Sequence, residues 1–204
     1  MTNAQPKYFD NTFIEFFRML AKNNDRGWFL ENTQAFESNV KKPFEAFVAG
    51  LIEKIDSRYG SLKIDAKDCI LRFHRDVRFS KDKTPYNVHC TAFISPAGKR
   101  DKTFPGLFIR LSAESVGIMG GCYSPSVEQT QRVRQSIIEN PDLFSSLCVD
   151  KTFTNKFGCI QGDRLKKTPK HLSHLTQYDP LVLNKQWYFV AERKPALIMQ
   201  QQNH

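Results

Sequence analysis

The N-terminal part of the chain, residues 1–60, carries apolar side chains at the spacing of amphipathic helices. The first helix is predicted to begin after Asp10, whose carboxylate can cap it, and to run to about Lys22. Its apolar face comprises Phe13, Phe16, Phe17 and Leu20. A more polar helix is predicted over 28–40, and a third begins near Pro43 and ends at Gly60. These faces are rich in phenylalanine, so an aromatic core is expected.

The middle of the chain has shorter apolar runs, bounded by polar or Gly/Pro turns, which are typical of strands. The predicted strands are 69–75, 88–95, Gly106–Ser112 and Val116–Cys122. Because no helix separates them, they are expected to pair antiparallel. Two weaker runs, 159–165 and 187–191, are predicted to be edge strands. The aromatic faces of the N-terminal helices should pack on this sheet and bury Phe73.

Helices are predicted again after the strands. One starts in the turn 124–126 and runs to about Glu139, and a shorter one follows at Pro141–Val149. An irregular loop is expected over 168–180. The order of elements predicts one α+β domain, with an antiparallel sheet of four or more strands and helices mainly on one of its faces. Its three parts are an N-terminal helical part (1–60), a sheet (66–123) and C-terminal helices with an irregular tail (124–204).

Composition is that of a globular protein. The chain has 204 residues, 40% hydrophobic and 25% charged, which is enough to bury a sizeable core. No apolar run approaches the roughly 20 residues of a membrane helix, and the first residues show no signal region, so a cytoplasmic protein without a membrane partner is predicted. The five cysteines are scattered without a Cys-x-x-Cys pair, which argues against a disulfide framework or a zinc ribbon.

The excess of positive charge is unevenly distributed. The formal net charge is +9, but residues 1–60 carry eight Lys/Arg and eight Asp/Glu. Residues 61–124 carry eleven Lys/Arg and six Asp/Glu. This concentration favours an anionic partner for the middle of the chain, although a solvated surface without a specific partner would show the same charge.

One short segment, 72–86, concentrates the chemistry. Its candidate anion-binding residues are Arg72, Arg75, Arg78, Lys81, Lys83 and Tyr86, and Asp76 and Asp82 are candidates to orient them. Arginine binds phosphate or carboxylate through two parallel hydrogen bonds, and lysine adds a mobile charge. Strand alternation should send Arg72, His74 and Asp76 to one face. The structural alternative is a salt-bridge network that pins a long loop to the sheet.

Other candidate residues carry weaker signals. Arg134, Lys166 and Lys167 form a possible second basic segment. Gly120-Gly121 ahead of a helix could bind an anion, but a tight turn or bulge explains the pair better. His74 could act as a general acid or base, and Ser80 lacks an evident base that would make it a nucleophile. His171 and His174 lie in a loop without a third ligand, so neither a metal nor a cofactor is predicted.

The run from Arg75 to Tyr86, Arg-Asp-Val-Arg-Phe-Ser-Lys-Asp-Lys-Thr-Pro-Tyr, resembles the signature of a widespread bacterial and fungal family, domain of unknown function 2461. Similar stretches are 13–29, 118–125 followed by Arg134 and Ile137, and 165–170. The resemblance covers nearly the whole chain, and it implies no activity or ligand. His171 stands where the family usually has glycine, and the chain ends soon after 187–193, where relatives continue into a further helix.

Three functions are compatible with these features. The leading prediction is the binding of a phosphorylated or other anionic small molecule at the segment 72–86, with catalysis on it left open. The second is nucleic-acid binding through a basic face with exposed aromatic residues such as Phe79 and Tyr86. The third is a structural or interaction protein without a ligand. A concave basic pocket would favour the first and a contiguous basic surface the second.

Overall fold

A computed structural model describes residues 7–60, 62–167, 170, 173 and 180–199. The α-helices are α1 (Asn11–Lys22), α2 (Arg26–Glu31), α3 (Thr33–Phe36), α4 (Lys42–Tyr59), α5 (Ala66–Cys69), α6 (Val127–Glu139), α7 (Pro141–Val149), α8 (Lys151–Phe157) and α9 (Ala196–Met199). A π-helical turn, Glu37–Lys41, connects α3 to α4, and 3-10 turns occur at Gly98–Arg100 and Pro180–Leu183. None of the described helices is long and apolar enough to cross a bilayer.

The strands are β1 (His89–Ile94), β2 (Gly106–Ser112), β3 (Val116–Cys122) and β4 (Trp187–Arg193), and they form one sheet in the order β1-β2-β3-β4. The predicted α+β class with a four-stranded antiparallel sheet is therefore confirmed. The chain divides into two compact units, which are described separately. Unit 1 comprises 1–99, 108–118 and 192–204, and unit 2 comprises 100–107 and 119–191. The prediction of a single domain stays a prediction.

Unit 1 contains the aromatic core. The α1 helix begins as predicted, because the Asp10 carboxylate accepts a hydrogen bond from the Thr12 backbone N–H at 2.9 Å. The apolar face of α1 is buried, and the rings of Phe13 and Phe17 pack edge to face with centroids 5.1 Å apart. Phe44, Val48 and Ile52 of α4 and alternate residues of β1 complete this core.

The predicted helix 28–40 is instead divided into α2, α3 and the π-helical turn. Asn32 separates α2 from α3, and its side chain donates to the Trp28 carbonyl at 2.8 Å instead of continuing the apolar face. The prediction of a strand at 69–75 is wrong as well. Cys69 ends α5, and the residues that follow form only isolated antiparallel bridges, Ile70 with Ala92 and His74 with Tyr86.

Unit 2 has its own small core around Ile137, Val182 and Trp187. The α6 helix starts with a capping box, in which Ser126 and Gln129 each bond the backbone of the other. The run 159–165 forms isolated bridges to Tyr188 and Asn184 and not the predicted continuous strand. The α8 helix, which the sequence pattern did not predict, begins where Asp150 accepts a hydrogen bond from the Phe153 N–H at 2.8 Å.

Asn24, just after α1, holds a distant part of unit 1 in place. Its side-chain amide donates to the Tyr86 carbonyl at 2.9 Å, and its side-chain oxygen accepts from the Tyr86 N–H at 3.1 Å. Both backbone groups of Tyr86 are thereby satisfied by a single side chain 62 residues away. Since buried backbone groups without a partner are costly, this pair of bonds fixes the end of the segment 72–86 on α1.

We expect Asn24→Ala to lower the free energy of unfolding by about 2 kcal/mol, because it leaves two partly buried backbone groups without partners. The neighbouring Asn23→Ala is the matched control. The Asn23 side chain makes one exposed, local bond to the Met19 carbonyl, so its loss should cost about 0.5 kcal/mol or less. Urea denaturation of both variants measures the difference. Equal destabilisation by the two substitutions would contradict this role of Asn24.

Candidate functional site

The segment 72–86 forms a closed loop in which the charged side chains bind one another. The Arg75 guanidinium donates to the Asp82 carboxylate at 2.6 Å and to the Thr84 carbonyl at 3.1 Å, and it also contacts the Thr84 hydroxyl. Asp82 in turn accepts from the Thr84 N–H at 3.0 Å. These bonds, first that from the Thr84 backbone and then that from Arg75, lower the pKa of Asp82 to about 2.

A second group of charges lies at the start of the loop. Arg78 binds Asp76 through two hydrogen bonds, of 3.0 Å and 2.8 Å. Hydrogen bonds from the Arg78 side chain and backbone hold the pKa of Asp76 below its ordinary value. Lys83 donates to the Val77 carbonyl at 2.9 Å. Thus Asp76 and Asp82 do orient cations, but they also occupy the donors of Arg75 and Arg78.

Arg72, Lys81 and Phe79 are less engaged. The Arg72 guanidinium lies 3.7 Å from Asp76, beyond a hydrogen bond, and its side chain is 71% exposed. Lys81 is exposed and makes no ion pair within the described ranges. Phe79, at the tip of the loop, is 96% exposed, with the Arg78 guanidinium 5.9 Å from its ring centroid. Arg72 and Phe79 therefore present large exposed surfaces, and Lys81 is an exposed cation of the same loop.

Tyr86 lies in the core and not on a basic surface. It is 5% exposed, and its ring stacks on Phe29 with centroids 4.1 Å apart. Phe73 and His74 flank the same ring at 5.8 Å and 5.0 Å. The sequence placed Tyr86 among the anion-binding residues because it follows the lysines. The contact with Asn24 that draws it inwards spans too much sequence to be read from the pattern.

The pairing between the segment 70–75 and the start of β1 changes register in the middle. The Leu71 N–H donates to the Thr91 carbonyl at 2.9 Å, and the Asn87 N–H donates to the Phe73 carbonyl at 3.0 Å. Between these two bonds, the segment 70–75 contains only Arg72, whereas the opposite segment contains three residues, 88–90. The Asn87 side chain compensates for the interrupted ladder by donating to the Phe73 carbonyl, also at 3.0 Å. Such bulges bend a strand and redirect its side chains.

A cavity of about 350 Å³ opens at this bulge, entirely within unit 1. Its apolar walls are formed by Phe29, Phe36, Phe44, Ile70, Leu71, Phe73 and Cys90, and its polar lining by Thr33, Glu37, Lys41, Glu45, Arg72, His74, His89 and Thr91. Phe73, expected to be buried, is half-buried because it forms part of this wall. Of the predicted anion-binding residues, only Arg72 lines the cavity; Arg75, Arg78, Lys81, Lys83 and Tyr86 do not.

One wall of the cavity carries a row of alternating charges. Glu37, Lys41 and Glu45 follow one another at intervals of four residues across the π-helical turn and into α4. Lys41 binds Glu37 at 2.8 Å. That hydrogen bond raises the pKa of Lys41, and the charges of Glu37 and Glu45 add to the effect. Isolated π-helical turns occur frequently at functional sites, which makes this wall part of the candidate site.

His89 is a residue of the candidate site that sequence analysis missed. It is half-buried at the bulge, and its Nδ1 is buried without a hydrogen-bond partner. Burial, followed by the positive charges of Arg110 and Arg75, lowers the pKa of His89 to about 4, so the ring is neutral near pH 7. The signal in the sequence was the alternation of β1, which places His89 opposite the buried Cys90 and Ala92.

The other candidates lie in unit 2 or outside the described residues. Arg134 donates to the Val182 and Asn184 carbonyls at 2.9 Å and 3.0 Å, so it supports the 3-10 turn there. Lys166 and Lys167 are exposed. His171 and His174 lie outside the described residues. No three His, Cys, Asp or Glu side chains come together as a metal site in the part of the chain that the structure describes.

Gly120 and Gly121 have a packing role. A side chain at Gly120 would overlap the Phe189 ring, and one at Gly121 would overlap the Trp187 carbonyl of the neighbouring strand. Gly121 also has φ +118°, which favours glycine. The close approach of these strands explains the pair without an anion.

The low pKa of His89 predicts a pH dependence of stability. Below pH about 6.5 the unfolded chain binds a proton that the folded protein takes up only near pH 4, so stability falls as the pH drops through this window. We expect the wild type to lose roughly 1–2 kcal/mol more than His89→Gln between pH 7 and pH 4.5, after allowance for solvent screening. Parallel curves for wild type and His89→Gln in urea denaturation would contradict the prediction.

Comparison with known proteins bears on the identity of the chain. Residues 12–204, nearly the whole chain, match the family described as Conserved hypothetical protein (DUF2461). Neither the curated proteins nor the solved structures gave a match. The resemblance of the Arg-Phe-Ser-Lys-Asp-Lys run is thus confirmed at the level of the family: the chain belongs to the conserved hypothetical protein family DUF2461.

Proposed function

We propose that unit 1 binds a small organic molecule with a planar, apolar body and a single negative charge, held in the cavity with its anionic group on Arg72. The observation that carries this proposal is the cavity of about 350 Å³ with four phenylalanine rings in its walls and ionisable groups at the bulge. Apolar pockets with a few polar groups are the usual form of small-molecule sites. A cytoplasmic location stays a prediction.

The size of the cavity limits the ligand. A cavity of about 150 Å³ lined by apolar side chains holds one benzene molecule. The cavity here, of about 350 Å³, is large enough for two fused rings with one polar substituent. The rings of Phe29, Phe36 and Phe73 supply faces and edges on which such a body can stack.

The charges of the cavity favour a monoanion over a phosphate. Lys41 is bound to Glu37, and Glu45 lies on the same wall, so this wall attracts no anion. Arg72 is the remaining permanent cation of the lining, and its ion pair with Asp76 is long, at 3.7 Å, so a ligand carboxylate can compete for its guanidinium. One guanidinium matches one carboxylate in charge and in geometry, whereas a dianion would face uncompensated repulsion from the glutamates. The broader expectation of a phosphorylated ligand is therefore narrowed to a carboxylate.

A matched series of naphthalene compounds tests this proposal by calorimetry. We expect 2-naphthoate to bind more tightly than 2-naphthalenemethanol, which lacks the charge, and than 2-naphthyl phosphate. Arg72→Gln should weaken naphthoate binding at least tenfold, because a hydrogen bond to a charged group contributes about 1.5–3 kcal/mol. The same variant should change binding of the neutral alcohol less than about twofold.

Arg78→Gln is the matched control, since it removes an exposed cation of the same loop that does not line the cavity. It should leave naphthoate binding unchanged. Tighter binding of the phosphate, or equal losses in Arg72→Gln and Arg78→Gln, would refute the assignment of Arg72. Absence of binding by all three compounds would favour a structural or interaction protein without a ligand.

The exposed ring of Phe79 favours a second candidate, the binding of single-stranded nucleic acid at the loop tip. The segment 72–86 carries five cations and two carboxylates, and its internal bonds hold Phe79 outwards where a base could stack. Tyr86, the other aromatic residue expected to take part, is buried. The candidate therefore depends on one ring and a modest excess of positive charge.

Fluorescence anisotropy with a labelled twelve-nucleotide oligothymidine measures this second activity. If the loop tip binds the strand, Phe79→Ala should weaken binding about fivefold or more, since stacking contributes roughly 1–3 kcal/mol per base. Tyr59→Ala is the control, because Tyr59 is 76% exposed and lies under Arg58 at the same 5.9 Å. Affinity should also fall steeply between 50 and 200 mM salt. Indistinguishable effects of the two substitutions would remove the loop tip as a nucleic-acid site.

A further inference from the structure

His89 and Arg110 lie on the same face of the sheet, on neighbouring strands. In β1 the buried residues are Cys90, Ala92 and Ile94, so His89 is on the opposite face. In β2 the buried residues Ile109 and Leu111 flank the exposed Arg110. Because β1 and β2 are paired in the sheet, the two side chains project to the same side.

The surroundings of Arg110 leave its guanidinium accessible. It makes no ion pair or side-chain hydrogen bond to the rest of the described chain. Its neighbour on the adjacent strand β3 is Gly117, where an added Cβ would lie 3.7 Å from the Arg110 Cβ. A strand position without a side chain often marks the approach of a ligand or another backbone. The donors of Arg110 are thus uncommitted and sterically open.

Two positive charges act on the imidazole of His89. The two charges that act on the His89 ring are the guanidinium groups of Arg110 and Arg75. Arg75 is bound to Asp82, so it contributes to the field but not to a ligand contact. The buried Nδ1 of His89 has no partner. A neutral imidazole with a buried nitrogen that has no partner, under the positive charge of two guanidinium groups, favours the binding of an anion.

We propose that Arg110 and His89 bind one tetrahedral oxyanion, such as a phosphate group, and that His89 takes up a proton from solvent when the anion binds. The guanidinium donates to two oxygens and the imidazolium to a third, a non-planar set that a phosphate or sulfate offers and a carboxylate does not. The positive charge of Arg75 adds to the attraction of the oxyanion. This site does not rest on the function proposed for the cavity.

Proton uptake follows from the same electrostatics. Without an anion, burial and then the positive charges of Arg110 and Arg75 disfavour imidazolium, and a bound dianion opposes the effect of the charges. The other ionisable groups that line the cavity beside His89 are Glu37, Lys41, Glu45, Arg72 and His74. The pKa of His89 is about 4 without the anion and higher in the complex. Because binding of the oxyanion and of the proton are linked, the affinity for the oxyanion rises about tenfold for each unit by which the pH falls between these two pKa values.

The test is an NMR titration of the histidine rings with sulfate, which stays a dianion over the pH range used, against sodium chloride at equal ionic strength. The His89 resonance is assigned by its absence in His89→Gln. In chloride the ring should stay mostly neutral down to about pH 5, and in sulfate it should be half-protonated by about pH 6. Sulfate affinity measured by calorimetry should rise about tenfold from pH 7.5 to pH 5.

Two variants make the outcome specific. Arg110→Gln should abolish the sulfate effect and, without sulfate, raise the pKa of His89, because it removes a charge that disfavours imidazolium. Arg18→Gln, at an exposed arginine of α1, should behave as the wild type. The proposal fails if sulfate leaves the His89 titration unchanged or if its effect persists in Arg110→Gln. Failure of the cavity proposal would give a different result. Arg72→Gln would then bind naphthoate normally, and the effect of sulfate on the His89 titration would still be present.

Discussion

The change of register between the segment 70–75 and the start of β1 is the constraint on which the candidate site depends. If the pairing continued regularly from the bond between Leu71 and Thr91, every later residue would have a partner two positions higher in number. His74, for example, would pair with Val88 instead of Tyr86. Arg72 would then face a single residue, and His89, Cys90 and Thr91 would stand differently beside the Ile70–His74 side of the cavity lining. Instead, three residues, 88–90, lie opposite the single residue Arg72, and the two paired segments separate locally. Asn87 holds the two segments together beside this separation, because its backbone N–H and its side-chain amide both donate to the Phe73 carbonyl at 3.0 Å.

The arginine-rich loop shows how a charged motif can serve its own conformation. Arg75 with Asp82 and Arg78 with Asp76 are short, geometrically good pairs, yet they are solvent-exposed enough that each contributes little to stability alone. Together with the bond from Lys83 to the Val77 carbonyl, they hold a long loop in one shape. The structural alternative considered for this segment therefore accounts for most of its cations, and Arg72 is the exception because it reaches the cavity. A cluster of cations in a sequence is thus an ambiguous signal until the neighbouring carboxylates are placed.

Sequence patterns predicted the regular elements well where local chemistry decides them. The start of α1 follows from the carboxylate of Asp10, and the strands Gly106–Ser112 and Val116–Cys122 follow from turns on either side. The pattern failed at 69–75, because an apolar run does not reveal a break in pairing. For the site, Arg72 was found through its residue type. His89 and Arg110 were missed, since they become neighbours only once the pairing of β1 with β2 is known.

The π-helical turn at Glu37–Lys41 has a consequence for what a single-residue deletion would do in this chain. Such a turn holds one more residue than the α-helical turn it replaces, so deletion of a single residue there would restore a regular helix. Everything before the deletion would rotate by about 100° around the helix axis relative to α4. Glu37 would then leave the row that it forms with Lys41 and Glu45, while Phe44, Val48 and Ile52 would keep their places in the core. The same deletion would rotate α1, α2 and α3 relative to α4, so the row of charges on the cavity wall and the packing of α1 in the core of unit 1 are coupled through this turn.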